Sequence, residues 1–204
     1  MREDIIHAID MKYAPDALIV YGSYADGTEG QDSDFDALAV GPGLPEAHDT
    51  GAPCGVRLDL FVYPSERFDG EYDVGEIEQI LGGRAVIDRS GIGARLLEAV
   101  AAHVAGYVPK GRREIDEELA WCDKMLIRAS RGDAEGFYRW HWLLTDSLEI
   151  CFDALGLRYP GPKKALRWLR DERPELYEGY EAALREMDYA ALRAWINAIR
   201  TPMG

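Results

Sequence analysis

Residues 17–40 read ALIVYGSYADGTEGQDSDFDALAV, and this stretch decides the fold. An apolar run leads to a Gly-Ser pair at residues 22–23, and Asp34 and Asp36 open a second apolar run. Because successive side chains of a strand point to opposite faces, these two acids project from the same face. Two carboxylates this close repel each other unless a cation lies between them. Mg²⁺ is the expected cation, since proteins usually hold it by one or two carboxylates together with substrate phosphates.

A third acid, Asp59, lies in the segment 56–62, which is rich in strand-forming residues. An acid among such apolar neighbours is costly to bury without a partner. If this segment pairs with the strand of Asp36, three carboxylates come together. They then predict two Mg²⁺ ions about 3.5–4 Å apart, an arrangement suited to in-line phosphoryl transfer. Gly22 lets the backbone approach a phosphate closely, and the Ser23 hydroxyl can donate a hydrogen bond to it.

The same residues also fit plainer roles. Asp34 and Asp36 are compatible with a solvated turn, and Asp59 with an edge strand that faces water. Ser23 is compatible with the N-cap of a short helix, a position that serine favours.

Residues 22–27 (GSYADG) followed by residues 33–36 (SDFD) resemble the signature of the nucleotidyltransferase superfamily of the DNA-polymerase-β type. Asp59 matches the third carboxylate of that superfamily. The resemblance is firm over residues 15–65 and looser beyond, where the chain is similar to small bacterial antibiotic nucleotidyltransferases and minimal antitoxins. It implies Mg²⁺-dependent transfer of a nucleoside monophosphate from an NTP, with ATP as the expected donor.

The rest of the chain predicts an α+β protein. We expect a small mixed β-sheet with helices on one face in a nucleotidyltransferase domain, residues 1–109. A bundle-like, all-helical C-terminal domain is expected over residues 110–204, where apolar residues recur every three or four positions, as in 134–155. Glycine and proline in residues 41–55 predict a loop.

The formal net charge of −14 is unevenly distributed. Residues 1–100 contain 7 Lys and Arg against 20 Asp and Glu, whereas residues 101–204 contain 16 against 17. An acidic surface disfavours nucleic acid as the acceptor, because phosphate backbones bind basic surfaces. It favours a cationic acceptor, although surface acids also serve solubility alone. No apolar run is long enough for a membrane span, and the charged N-terminus is unlike a signal peptide, so a cytoplasmic protein is expected.

Three residues of the second half are further candidates. Glu149 lies on a predicted helix, and in antibiotic nucleotidyltransferases of similar shape a helical glutamate is the general base that deprotonates the acceptor hydroxyl. Asp59 is the rival base, and a solvated helix face is the plainer reading of Glu149. Lys163 and Lys164 begin a predicted helix, where two cations oppose the helix dipole. We expect one of them to bind the triphosphate, with exposed surface lysines as the alternative.

The sequence therefore predicts a transfer of NMP to a hydroxyl of a small molecule such as an aminoglycoside or a lincosamide, with release of pyrophosphate. Two other functions stay open: adenylylation of a partner protein, as by antitoxin-like enzymes, and nucleotide binding without turnover. A homodimer with a shared cleft is also compatible with the sequence.

Overall fold

A five-stranded mixed sheet forms the centre of the first part of the chain, in a computed structural model that describes residues 2–200. Its strands are β1 (Ala17–Val20), β2 (Phe35–Gly41), β3 (Ala47–Asp49), β4 (Leu58–Pro64) and β5 (Arg84–Asp88). The spatial order is β3-β4-β2-β1-β5. Strands β2 and β4 are parallel, and the other pairs are antiparallel.

Helices cover both faces of this sheet, which corrects the expectation of helices on one face. Helix α1 (Arg2–Tyr13) packs Ile5 and Ile9 against Leu18 and Val20. Helix α3 (Ile92–Ala105) packs on the opposite face, against Ala17, Ile19, Leu38 and Val40. All four residues of β1 are apolar and buried. Because successive side chains point to opposite faces, they contribute to the hydrophobic core on both sides of the sheet.

Three short segments connect these elements as 3-10 turns, at Pro53–Gly55, Ser65–Phe68 and Val74–Ile80. Helix α2 (Gly22–Asp26) is a single short turn directly after β1. The loop predicted over residues 41–55 contains the edge strand β3. This strand has only three residues, which is too few for an alternating pattern to show in the sequence.

The second part of the chain is helical, and the α+β class is therefore confirmed. Its elements are α4 (Arg112–Ala129), α5 (Ala134–Ala154), α6 (Pro162–Glu172), α7 (Pro174–Glu186) and α8 (Tyr189–Arg200). Two buried hydrogen bonds fasten its core: Trp195 Nε1 donates to Ser147 Oγ at 2.8 Å, and the Tyr180 hydroxyl donates to the Leu144 carbonyl at 2.8 Å.

The chain divides into two compact units between Tyr107 and Val108, two residues before the predicted domain boundary. Residue 1 and residues 201–204, at the outer ends of the two predicted domains, lie outside the described residues. None of the helices within residues 2–200 is long and apolar enough to cross a lipid bilayer.

Candidate active site

Asp36 and Asp59 lie directly opposite each other on the parallel strands β2 and β4. Leu38, two residues after Asp36, packs on the face that carries α3, and so does Phe61, two residues after Asp59. Since alternate residues of a strand share a face, both carboxylates belong to this α3 face of the sheet. The fold thus brings two of the three predicted acids side by side from segments that are far apart in sequence.

Gly22 is packed against the Asp36 carboxylate at the start of α2. It has a φ of +63°, and a Cβ added there would lie 2.2 Å from Asp36 Oδ2. Only glycine satisfies both conditions, because it has no side chain and adopts positive φ without strain. The backbone N–H of Tyr21 also donates to the Asp36 carbonyl oxygen at 3.1 Å, which ties the turn to β2.

Ser23, the second residue of the predicted phosphate-binding pair, is buried within α2, with 7% of its surface exposed. The neighbouring Tyr24 fixes this short helix on the sheet, because its ring packs edge-on against Phe35 with centroids 4.9 Å apart. The predicted role of Gly22 and Ser23 in binding the nucleotide stays a prediction, and the turn that carries them is rigidly placed beside Asp36.

Asp34 precedes β2 and forms an ion pair with Arg57, whose Nε donates to Asp34 Oδ1 at 2.9 Å. This hydrogen bond raises the pKa of the Arg57 guanidinium. Both side chains are largely exposed, so the pair contributes little to stability. The pair matters for the site, because one carboxylate oxygen of Asp34, a predicted metal ligand, already has a cationic partner.

Asp59 has a partner that the sequence analysis did not identify. His48 Nε2 lies 2.5 Å from Asp59 Oδ1, and the imidazole ring stacks on Phe61 with centroids 4.6 Å apart and planes 9° apart. Strand β3 places His48 directly opposite Phe61 on β4. The stacking holds the ring in place, so His48 fixes the orientation of the Asp59 carboxylate.

Tyr21 is the second residue of this region that the sequence analysis left without a role. It is 6% exposed, and its hydroxyl oxygen is buried without a hydrogen-bond partner among the residues that the structure describes. Burial raises the pKa of the Tyr21 phenol, and the charges of Asp59 and Asp36 raise it further. The hydroxyl therefore remains protonated beside the carboxylate pair.

The donor set fits a hard cation, although no three His, Cys, Asp or Glu side chains within residues 2–200 are arranged as a metal site. Arg57 pairs with Asp34, and His48 pairs with Asp59. Asp36 and Asp59 remain side by side, and one or two carboxylates with substrate phosphates suffice for Mg²⁺. The binding of metal by Asp34, Asp36 and Asp59 together stays a prediction.

Glu149 belongs to the second unit, where it lies on α5 and lines a cavity of about 530 Å³. Six carboxylates line this acidic cavity, from Glu114, Glu117, Glu118, Asp146, Glu149 and Asp153. Lys110 is the basic residue of the lining and is held by Asp153, with Nζ 2.8 Å from Oδ2, and by Glu118. Burial opposes the charge of Lys110, but these hydrogen bonds outweigh burial and raise the pKa of its ammonium group.

Lys163 and Lys164 are exposed in the first turn of α6, as the sequence predicts. They belong to the second unit, like Glu149, whereas the carboxylate pair belongs to the first. Their binding of the triphosphate stays a prediction.

Comparison with known proteins gives one family. Residues 3–87 match the family model of the nucleotidyltransferase domain, and they include Gly22, Ser23 and the three acids. No curated protein matches the chain. Among solved structures, a nucleotidyltransferase-like protein from Exiguobacterium sibiricum 255-15 is 12% identical, with a TM-score of 0.42. The alignment covers 97% of this chain and 72% of that chain, and at this TM-score it supports no inference.

Proposed function

We propose that the protein transfers AMP from ATP to a hydroxyl group of a small cationic molecule, using residues 3–87, which match the nucleotidyltransferase domain. The family implies a nucleoside triphosphate as substrate and transfer of its monophosphate part. The observation that carries the proposal is the placement of Asp36 beside Asp59, with the Gly22 backbone against the Asp36 carboxylate.

Each residue of the first unit has a role in this proposal. The backbone of Gly22 and the hydroxyl of Ser23 bind the phosphates. Asp34, Asp36 and Asp59 would hold Mg²⁺, for which the sequence predicts two ions. The chemistry that Mg²⁺ supplies when bound is neutralisation of the phosphate charge.

The transfer is a single displacement at phosphorus. The acceptor oxygen forms a bond to the α-phosphorus as the bond to the bridging oxygen of pyrophosphate breaks, and the hydroxyl proton passes to a carboxylate. Two carboxylates are candidates for this base, Asp59 and Glu149. His48 supports Asp59, because it leaves the orientation of that carboxylate fixed. Glu149, in the second unit, is supported by its resemblance to the helical glutamate that is the base in antibiotic nucleotidyltransferases.

The acidic cavity supports a cationic acceptor. Six carboxylates against Lys110 leave the lining strongly negative, and Trp121 offers an aromatic face to which cations are attracted. A volume of about 530 Å³ is in the range of sites for small molecules. Aminoglycosides, which carry several ammonium and hydroxyl groups, are the first class to test, and lincosamides the second. Lys163 and Lys164 are proposed to bind the triphosphate.

The experiment is incubation with Mg²⁺, each NTP in turn, and a panel of aminoglycosides, lincosamides and proteins, followed by mass spectrometry. We expect a gain of one nucleotide on a cationic small molecule and release of pyrophosphate. Asp36→Ala should abolish both, and Asp32→Ala, which removes an exposed acid of the same segment, should leave both unchanged. Adduct formation by Asp36→Ala would contradict the proposed site.

The same assay distinguishes the alternatives. If Glu149 is the base, Glu149→Gln should lower turnover without weakening NTP binding. Full turnover by this variant would instead identify Asp59 as the base that accepts the hydroxyl proton. A nucleotide adduct on a protein of the panel would replace the small-molecule acceptor by a partner protein. NTP binding without any adduct would indicate a nucleotide-binding module.

A further inference from the structure

The Tyr21 hydroxyl is a buried polar group that lacks a hydrogen-bond partner within residues 2–200. Burying a hydroxyl without a partner is unfavourable, because the hydrogen bonds that it made to water are lost and not replaced. Phenylalanine would fill the same space without this penalty. The hydroxyl is therefore best explained by a partner that arrives with a ligand.

The position of Tyr21 indicates which ligand this is. Tyr21 packs on the α3 face of the sheet with Ile19, Leu38 and Val40. Asp36 and Asp59 belong to the same face and are the two charged groups whose fields act on the Tyr21 phenol. Tyr21 thus lies on the face of the sheet that carries the two carboxylates to which the proposed function assigns the cation.

The surroundings leave little freedom for the ring. Tyr21 is 6% exposed and is followed directly by Gly22, which is itself packed against Asp36. Its backbone N–H is bonded to the Asp36 carbonyl oxygen at 3.1 Å. The backbone of Tyr21 is therefore tied to β2 beside Asp36, and its ring is buried on the same face.

We propose that Tyr21 is a ligand-binding residue of this site, whose hydroxyl forms a hydrogen bond with the bound ligand. The partner is either water coordinated to the divalent cation, which donates to the phenol oxygen, or a phosphate of the nucleotide, which accepts from the hydroxyl. A phenol hydroxyl can both donate and accept at neutral pH. The inference rests on the proposed function, since it assumes that cation and nucleotide bind beside Asp36 and Asp59.

The test compares Tyr21→Phe with Tyr180→Phe. Both tyrosines are buried, at 6% and 4% exposure, and both variants lose only a hydroxyl. The Tyr180 hydroxyl donates to the Leu144 carbonyl at 2.8 Å, so its bond already exists in the free protein. Three quantities are measured for the wild type and both variants: the ligand-free Tm, the affinity for Mn²⁺ by electron paramagnetic resonance, and the affinity for a non-hydrolysable ATP analogue with Mg²⁺ by calorimetry.

Opposite results are expected for the two variants. Tyr21→Phe should keep or raise the ligand-free Tm and weaken ligand binding by about five- to tenfold, the effect of one net hydrogen bond. Tyr180→Phe should lower the Tm and leave both affinities unchanged. A loss of affinity already seen with Mn²⁺ alone identifies the hydrogen-bond partner as coordinated water, whereas a loss seen only with the analogue identifies it as a phosphate.

Two results would overturn the inference while the proposed function stands. One is unchanged affinity of Tyr21→Phe for both ligands when the wild type binds them. The other is a fall of the ligand-free Tm as large as that of Tyr180→Phe, which would mean that the hydroxyl already has a partner. If the wild type binds neither ligand, the proposed function fails, and the inference fails with it.

Discussion

At the scale of single residues, the site depends on the absence of one side chain. The turn after β1 approaches Asp36 so closely that a Cβ at residue 22 would lie 2.2 Å from Oδ2. The carboxylate would have to move away from its position beside Asp59. Gly27 offers a matched comparison, because its φ of +71° is similar and nothing lies within 4 Å of the Cβ that would be added there.

We therefore expect Gly22→Ala to abolish nucleotidyl transfer and Gly27→Ala to retain it. Both variants should lose about 1 kcal/mol of unfolding free energy, because both place alanine at positive φ. Activity is measured by pyrophosphate release, and stability by urea unfolding. Wild-type turnover of Gly22→Ala would show that the contact between this turn and Asp36 has no part in the reaction.

The sequence predicted part of this site. The acids were predictable because Asp34 and Asp36 open an apolar run and Asp59 lies within another, where a charge needs an explanation. His48 was not found, since a histidine in a loop rich in glycine and proline carries no periodic signal. The sequence gives no sign of a role for Tyr21, because its missing hydrogen bond is visible only in three dimensions.

At the scale of elements, one carboxylate joins the first helix to the edge of the sheet. Asp49 on β3 accepts hydrogen bonds from Lys12 Nζ at 2.8 Å, from the Tyr13 hydroxyl at 2.8 Å and from the Gly51 backbone N–H at 2.9 Å. The hydrogen bond from Lys12 is the main reason that the pKa of Asp49 lies below its ordinary value of 3.8. The strand that carries His48 is thus held from the side of α1.

We expect Asp49→Asn to lower the unfolding free energy at pH 7 by about 1.5–3 kcal/mol, the range for hydrogen bonds to charged groups. Because the pKa of Asp49 is lower in the folded state, its stabilisation is complete above pH 3.8 and is lost as the pH falls through the folded-state pKa. The difference between wild type and variant in urea unfolding should therefore narrow at low pH. Asp69→Asn, at an exposed acid, is the control; a difference independent of pH would contradict the assignment.

The elements themselves were largely predictable. Helices α3 to α8 follow the three- and four-residue spacing of apolar residues, and burial reinforces that pattern. Strand β3 was missed, because its three residues are stabilised by pairing with β4 and not by their own composition. The same pairing brings His48 to Asp59, so missing the strand also meant missing the residue.

At the scale of the whole molecule, the dominant feature is the charge of −14, most of it within residues 1–100. Like charges that are concentrated on a folded domain repel one another and destabilise it, and salt screens this repulsion. Acid pairs at the site add to the repulsion within the same unit.

Raising NaCl from low concentration to about 0.5 M, where the screening length falls well below 10 Å, should therefore raise the Tm. We expect about 2–4 °C, which corresponds to roughly 1 kcal/mol in a chain of this size. MgCl₂ at equal ionic strength should raise it further in the wild type, because a ligand that binds the folded state stabilises it. The Tm of Asp36→Ala should rise with NaCl as in the wild type, but MgCl₂ should not raise it further. A Tm that falls as NaCl is added would contradict the charge argument.

The parallel register of β2 and β4 must be reached without error when the protein folds. Sliding β4 by one residue would turn Asp59 to the opposite side, among the aliphatic side chains that contact α1, and would turn Leu58 and Leu60 to the α3 face. A slipped chain would keep its helices and much of its circular dichroism spectrum, but it would be inert. The aliphatic residues of β4 lie on the face opposite to Asp59. Their burial therefore fixes the register that places Asp59 beside Asp36.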